Sequence, residues 1–246
     1  MYKVSIIIAC FNSEVYISDA IESALSQCYD NIELIVVDGF SKDSTMDIVE
    51  SFGDRITYIS EPDKGIADAW NKGLAIATGE YIYFLNSDDF VKSDFISNIM
   101  SRVLTEQPDK HLYYGNTDLL DSSGQLLREY KGDHQSLSRY KGFGFYFTSL
   151  VVPRTVFSSV GGFNINIKIA IDTEWLFRAE KHGVEFINHE QTNMMRMVGV
   201  SVNQRVNAYR EYFNIMQENG YNYFMCEIFF IRLKLIQFLR GIYEKD

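Results

Sequence analysis

Val4-Ser5-Ile6-Ile7-Ile8-Ala9-Cys10-Phe11-Asn12 is the stretch on which the fold turns. Its apolar part, Val4–Ala9, is short, β-branched and uncharged, the pattern of a strand covered on both faces. It follows Lys3 and resembles a secretion signal only superficially, being too short and too β-branched. It also runs straight into a helical pattern, in which Ile17, Ala20, Ile21, Ala24 and Leu25 share one face at i, i+3, i+4 spacing.

The same alternation continues outward. Ile32–Val37, Ile56–Ile59 and Tyr81–Leu85 read as further strands buried on both faces. Between and after them lie a helix following Ser44, one with Ile66, Ala69, Trp70, Leu74 and Ala77 on a face, and one containing Phe95, Ile96, Ile99, Met100, Val103 and Leu104. Strand and helix in strict alternation predict an α/β fold around an open, mostly parallel twisted sheet. The second half is less regular. His111–Asn116 reads as a strand, Leu119–Tyr130 as a hairpin turning at Ser123-Gly124, and Phe145–Val152 as another strand. A turn at Gly161-Gly162, a helix over Thr173–Lys181 and strands at Val184–Ile187 and Met194–Val198 follow. Beyond Ser201 the pattern is helical to the end, with Val206, Tyr209, Phe213 and Met216 on one face. The expected organisation is one domain over residues 1–202 with a helical extension over 203–246.

A chain of 246 residues with 46% apolar residues and three prolines has enough material for one large core and no linker composition. The net charge of -10 argues against nucleic acid as a partner, since such binders neutralise phosphates with clustered cations. Three widely spaced cysteines, Cys10, Cys28 and Cys226, lack metal-ligand spacing and point to reduced thiols in a cytoplasmic protein. No stretch is long and uncharged enough to span a bilayer.

In open α/β sheets, ligands gather beyond the carboxyl ends of the strands. Four successive strand ends here carry polar groups: Ala9-Cys10-Phe11-Asn12, Asp38-Gly39, Ser60-Glu61-Pro62-Asp63-Lys64, and Asn86-Ser87-Asp88-Asp89. Asp38 either meets a nucleotide's ribose or base or simply caps a turn. Asp88 and Asp89 supply oxygen ligands suited to Mg²⁺ or Mn²⁺, the competing reading being a cap for the helix near Ser93. The turn after the first strand lacks the G-x-G-x-x-G of dinucleotide-binding folds, and no P-loop is present, so phosphates need another anchor, of which a metal is the simplest.

Taken together, the segments resemble the family 2 glycosyltransferases with their GT-A fold. The resemblance is carried by residues 4–12, by Ile35-Val36-Val37-Asp38-Gly39-Phe40-Ser41-Lys42-Asp43-Ser44-Thr45, and by Ser60-Glu61-Pro62-Asp63-Lys64-Gly65-Ile66. It continues through Asn71-Lys72-Gly73, Ala77-Thr78-Gly79-Glu80-Tyr81 and Leu85-Asn86-Ser87-Asp88-Asp89. More loosely, Val160-Gly161-Gly162-Phe163, Lys168-Ile169-Ala170-Ile171-Asp172, Trp175-Leu176-Phe177-Arg178 and Gly199-Val200-Ser201 resemble the acceptor side and closing loop. The resemblance implies transfer of a hexose or N-acetylhexosamine, with inversion, from a UDP-sugar to an acceptor hydroxyl. The acceptor it implies is a glycan or lipid-linked intermediate in cell-surface polysaccharide synthesis. It places Ala9, Cys10, Phe11, Asn12, Asp38, Lys64, Asp68, Asn86 and Ser87 at the nucleotide-sugar, Asp88 on the metal and Asp172 as catalytic base. By itself, Asp172 reads as an N-cap for the helix it precedes.

Three departures stand out. Asn86 replaces the first acid of the DxD-like motif, Ala9 replaces the usual proline, and Thr148-Ser149 stands where many relatives carry His-Gln. They keep a rival in view, a degenerate transferase acting as a sugar- or protein-binding module. A second rival, a nucleotidyltransferase that makes the donor, lacks its glycine-rich phosphate loop after the first strand. Finally, Phe224–Tyr243 combines Phe, Ile and Leu with Arg232, Lys234 and Arg240 and no acid between Glu227 and Glu244. Such a helix suits peripheral contact with the inner face of a membrane through residues 222–243, packing on the domain, or a homodimer contact.

Overall fold

Residues 1–106, 111–134, 142–198, 204–228 and 230–232 are described by the structure, a computed structural model. The opening run forms β1 (Val4–Cys10), with all seven residues buried. β1 pairs in parallel with β2 (Ile32–Asp38) on one side and β4 (Tyr81–Asn86) on the other, and β2 pairs in parallel with β3 (Thr57–Ser60). Helices α1 (Ile17–Leu25), α2 (Thr45–Ser51), α3 (Ile66–Ile76) and α4 (Phe95–Glu106) occupy the expected positions. Because alternate side chains of a strand point to opposite faces, β1 feeds two cores. Ile7 and Ala9 join Trp70 and Trp175 in one, while Val4, Ile6 and Ile8 join Ile17, Ile21, Phe95 and Ile99 in the other.

The expected strand at Ile56–Ile59 forms as β3, but it is not covered on both faces. It is the sheet's edge, and Thr57 and Tyr58 are exposed. A β-branched sequence records a preference for pleated backbone, not the number of neighbours the strand acquires.

The remaining strands extend the sheet on the far side of β4, in the order β3-β2-β1-β4-β7-β5-β6. Here β7 (Val151–Pro153) is antiparallel to β4, and the strand expected over His111–Asn116 runs on into the first arm of the expected hairpin as one strand, β5 (His111–Leu120), which pairs with β6 (Leu126–Tyr130). The strand expected over Phe145–Val152 shrinks to β7. Phe147–Ser149 instead forms a 3-10 turn, because Phe147 packs against Trp70, Phe84, Phe163 and Trp175 while the Ser149 hydroxyl donates to the Tyr146 carbonyl.

The two strands expected at Val184–Ile187 and Met194–Val198 are one, β8 (Glu185–Arg196), parallel to β5. Its polar middle, Asn188-His189-Glu190-Gln191, carries no apolar alternation, so the sequence reads as a break. The backbone bulges there, with Glu190 at φ 62° and a register shift opposite Tyr114–Asn116. Gly115 is required at this spot, since a Cβ would run into the Gln191 carbonyl and the His189 ring. His189 is buried, which lowers its pKa to about 4, so the neutral ring bridges the Ser149 carbonyl and the Gln191 amide.

Helices α5 (Arg154–Val160) and α6 (Ile171–Lys181) follow β7, and α7 (Arg205–Glu218) follows β8. α7 is no detached appendage, because Ile215 and Met216 sit in the same core as Trp175. Val206, expected on its apolar face, is exposed, and the helical pattern is interrupted at Gly220, whose φ of 82° ends the run before residues 223–228 resume it. Tyr223, Phe224, Met225, Ile228 and Ile231 are exposed there while Cys226 is buried. Among the described residues no helix is long and apolar enough to cross a membrane. The loop Gly199-Val200-Ser201 and the basic positions Lys234 and Arg240 lie outside the described residues.

Candidate functional site

Strand register brings the polar strand ends together along the carboxyl edge of the parallel strands. Cys10 stands opposite Asp38, Asp38 opposite Ser60, and Ala9 opposite Asn86, so four strand ends meet in one row. The loops beyond them are zipped together by hydrogen bonds. The Asn12 amide donates to Ser41 Oγ (2.8 Å), Lys42 N donates to Asn12 Oδ1 (2.9 Å), and Ser13 N donates to Thr45 Oγ1 (2.7 Å). Asn12 (φ 50°) and Phe40 (φ 68°) both occupy the left-handed region, which few non-glycine residues adopt outside constrained sites.

Asp38 is fully buried at the centre of this row. Its carboxylate accepts from the amides of Phe40 and Ser41, from the Ser60 hydroxyl at 2.7 Å and from the Ser41 hydroxyl. It therefore shapes the loop after β2, and its own oxygens are largely taken. Burial and the neighbouring Asp38 push the Cys10 thiol far above its usual pKa, so it is no nucleophile. Phe11 is 60% exposed and projects from the rim beside Gly39, where a Cβ would lie 2.5 Å from Asp63 Oδ2 and 3.3 Å from Phe11. Glycine is what lets Asp63 and Phe11 close over this turn.

The Asn86–Asp89 turn separates two acids of adjacent sequence. Asp89 is buried, and its carboxylate accepts from the Arg196 amide (2.7 Å) and the Asn86 side-chain amide (2.9 Å). Burial and Asp88 together raise its pKa well above the usual value. Asp88 is half-buried, with a pKa also raised by burial, and no side chain donates to its carboxylate among the described hydrogen bonds. Asn86 thus has a physical reason: an amide donates to Asp89 where a third carboxylate would repel it. Ser87 Oγ lies 2.9 Å from Ser13 Oγ, tying this turn to the loop after β1.

Arg196 was not legible as a site residue. Its guanidinium packs over the rings of Tyr16 and Phe90, donates to Asp19 at 2.7 Å and to the Asp88 carbonyl at 3.0 Å, while its backbone anchors Asp89. The available signal was a lone charge within Met194–Val198. Ser13 was also missed, and Ser60, read among the polar strand ends, was given no role of its own; only register brings Ser13 to Ser87 and Ser60 to Asp38.

On the other flank, Lys64 is exposed, and its amide donates to Asp68 Oδ2 at 3.0 Å. Asp68 thereby ties the residue before the N-cap Gly65 to the first turn of α3 and also pairs with Lys72 at 3.8 Å, so its carboxylate is engaged locally. The Lys168 ammonium donates to the Lys64 carbonyl at 2.8 Å, joining the loop after β3 to the segment before α6. Asp172 lies inside the first turn of α6, not at the N-cap, which is Ala170. Its carboxylate accepts from the Thr173 amide at 2.7 Å, and burial raises its pKa.

The turn Gly161-Gly162-Phe163 holds α6 against α3. Asn71 both donates to the Phe163 carbonyl and accepts from its amide, each at 2.8 Å, while Trp175 Nε1 donates to the Gly161 carbonyl and Arg178 to those of Val160 and Gly162. A Cβ at Gly162 would collide with the Asn71 side chain that makes this pair. Gly162→Ala is expected to cost about 1–3 kcal/mol. Urea denaturation checks this, and an unchanged midpoint would contradict it. Thr148 and Ser149, by contrast, are buried, and Ser149 serves the Gly115 amide.

A hard divalent ion fits this site in one way. Among the described residues no three His, Cys, Asp or Glu side chains group into a protein-only cage. Asp88 offers a half-buried carboxylate to which no side chain donates among the described hydrogen bonds, a starting point for an ion whose remaining ligands would be substrate phosphate oxygens and water.

Comparison with known proteins agrees with this architecture. A glycosyltransferase described as uncharacterized from Rickettsia felis is 33% identical over 187 residues, which is 71% of this chain but 31% of that protein. Another from Rickettsia typhi is 31% identical over 221 residues, 85% of this chain and 69% of its own length. The chain thus spans about a third of one relative and about two thirds of the other. Among solved structures, Staphylococcus aureus TarS 1-349 in complex with UDP-GlcNAc superposes with a TM-score of 0.69 at 16% identity, covering 93% of this chain and 70% of that one. The mannosyltransferase PcManGT from Pyrobaculum calidifontis, in complex with GDP-Man and Mn²⁺, gives 0.67 at 17% identity, covering 89% and 64%. Both are likenesses of fold, and the fold is the GT-A arrangement that the sequence predicts. The family model described as glycosyl transferase family 2 matches residues 5–184, and this chain belongs to that family.

Proposed function

We propose that this chain transfers a hexose or N-acetylhexosamine from a UDP-sugar to an acceptor hydroxyl with inversion at the anomeric carbon. The observation that carries the reading is the row Cys10, Asp38, Ser60 and Asn86, neighbours at the carboxyl ends of four strands, where open α/β sheets bind their ligands. The exposed ring of Phe11 and the loop that Asp38 holds receive the base and ribose. Ser87 and Asp88 face the diphosphate, and Asp88 holds Mg²⁺ or Mn²⁺. When bound, that cation offsets the charge building on the leaving diphosphate. Asp172, on the α6 side of the Lys64–Lys168 bridge, takes the proton of the attacking hydroxyl. Its raised pKa suits a base, since the proton it accepts is held more firmly than on an ordinary carboxylate. A base acting across the sugar from the leaving group gives one displacement, hence inversion.

The acceptor we assign is a glycan or lipid-linked intermediate of cell-surface polysaccharide. It would be met at the inner face of the membrane by a cytoplasmic enzyme whose segment 222–243 lies in the lipid interface. The exposed Phe224, Ile228 and Ile231 support that placement. In this reading residues 1–202 carry the catalytic cleft, and the extension 203–246 supports it. The test is release of UDP from UDP-sugars by purified protein with Mn²⁺ and an acceptor glycan. A chain that binds UDP-sugar yet frees no UDP under any of these conditions would be a degenerate sugar-binding module, the alternative that Asn86 favours.

A further inference from the structure

Glu211 belongs to α7, beyond the stretch of residues 5–184 that matches the family, yet its carboxylate reaches the segment leading into α6. It accepts three successive backbone amides: Lys168 N at 3.1 Å on Oε1, Ile169 N at 2.7 Å and Ala170 N at 2.9 Å on Oε2. Ala170 is the N-cap of α6 and has no side chain with which to cap it. Helix starts leave amides without partners, and a carboxylate there is favoured by both hydrogen bonding and the helix dipole. Charge-assisted bonds of this kind are about twice as strong as neutral ones. Three from one carboxylate fix the backbone two residues ahead of Asp172. The same segment carries Lys168, whose ammonium donates to the carbonyls of Lys64 (2.8 Å) and Ile165 (3.1 Å).

We propose that Glu211 is a positioning residue for the transfer reaction, capping α6 from a different helix and thereby setting where Asp172 stands. This rests on the reading of Asp172 as base. In effect α7, anchored in the core by Ile215 and Met216 four and five residues further on, acts as a brace for the acceptor side of the cleft. The site as bounded by the family match is incomplete without it.

The experiment compares E211Q, E211D, D172N and the double variant E211Q/D172N in the full chain, measuring kcat, the dissociation constant of UDP-sugar and amide hydrogen exchange at residues 168–170. Glutamine fills the same volume but presents an amide N–H toward donors. E211Q is expected to lower kcat about 10- to 100-fold, as displacement of a reacting group by an ångström can. Donor binding should stay within about twofold and protection at 168–170 should fall. E211D, which keeps the charge, should recover part of kcat. The double variant should be no slower than D172N alone, since the two act through one group. Wild-type kcat in E211Q, or losses that multiply in the double variant, would overturn the positioning role while D172N still reports on the base. Wild-type turnover in D172N would overturn the base assignment and with it the route through which Glu211 acts. Should E211Q not fold, E211D with unchanged kcat and weakened protection at 168–170 would likewise overturn the proposal.

Discussion

Asp172→Asn is expected to abolish sugar transfer, lowering kcat by about 10²–10⁴-fold, the usual contribution of general-base assistance, while UDP-sugar binding is retained. The asparagine is isosteric and can still accept from the Thr173 amide through its carbonyl oxygen, so the first turn of α6 keeps its local bond. What it loses is the ability to take a proton. The pH profile of the wild-type enzyme carries a related signature. Burial disfavours the charged carboxylate, which raises the pKa of Asp172 above the ordinary value of 3.8. Activity that needs the deprotonated form is therefore full above the raised pKa and lost as pH falls through it. The acid limb of kcat should lie above the range of a free aspartate. Ordinary turnover in the variant, with donor bound as tightly as before, would remove Asp172 from the chemistry.

Asp88→Ala is expected to be as damaging, for a different reason, and to strike donor binding as well as rate. Among the described residues it is the acid of the Asn86–Asp89 turn whose carboxylate receives no side-chain hydrogen bond, whereas Asp89 is held by the Arg196 amide and by Asn86. Its removal takes away the protein's hold on the cation. Losing one preorganised electrostatic partner of a leaving group costs on the order of 10²–10³-fold in kcat. Isothermal titration with UDP-sugar, with and without Mn²⁺, separates the two effects: the wild type should bind more tightly with the ion, the variant equally in both. Full wild-type activity in excess chelator would sink the assignment of the metal to this residue. Asp89→Asn should behave differently. Its partner is the backbone of Arg196, so its effect is on the anchoring of the turn and the strand that carries it.

These two acids illustrate how the sequence and the fold divide the information. Composition and spacing placed both at the end of a core strand without separating them, and it was the resemblance to the family that put the metal on Asp88. What the fold adds is burial, which turns Asp89 inward to a backbone amide and leaves Asp88 half-buried. The reverse happened at Asp38, whose position at the rim was legible from Leu34–Val37 while its commitment to the Phe40, Ser41 and Ser60 donors was not. Asp68 and Asp172 show the same limit. A cap and a ligand are both carboxylates near a helix start, and the difference lies in what else reaches them.

By itself the sequence determined the parallel half of the fold, β1 to α4, because each element there is fixed by local periodicity and a strand covered on both faces admits few alternatives. It also determined the order in which polar groups arrive at the strand ends, and through residues 5–184 the family. Tertiary structure alone decided the rest. It merged β8 across a polar bulge, turned Phe147–Ser149 into a 3-10 corner among aromatic rings, left β3 at the edge, and brought Arg196 to the Asp88–Asp89 turn and Glu211 to the amides of Lys168–Ala170. Those outcomes depend on contacts between residues up to 177 positions apart, as between Asp19 and Arg196, and no local pattern carries energies that arise only when distant elements pack.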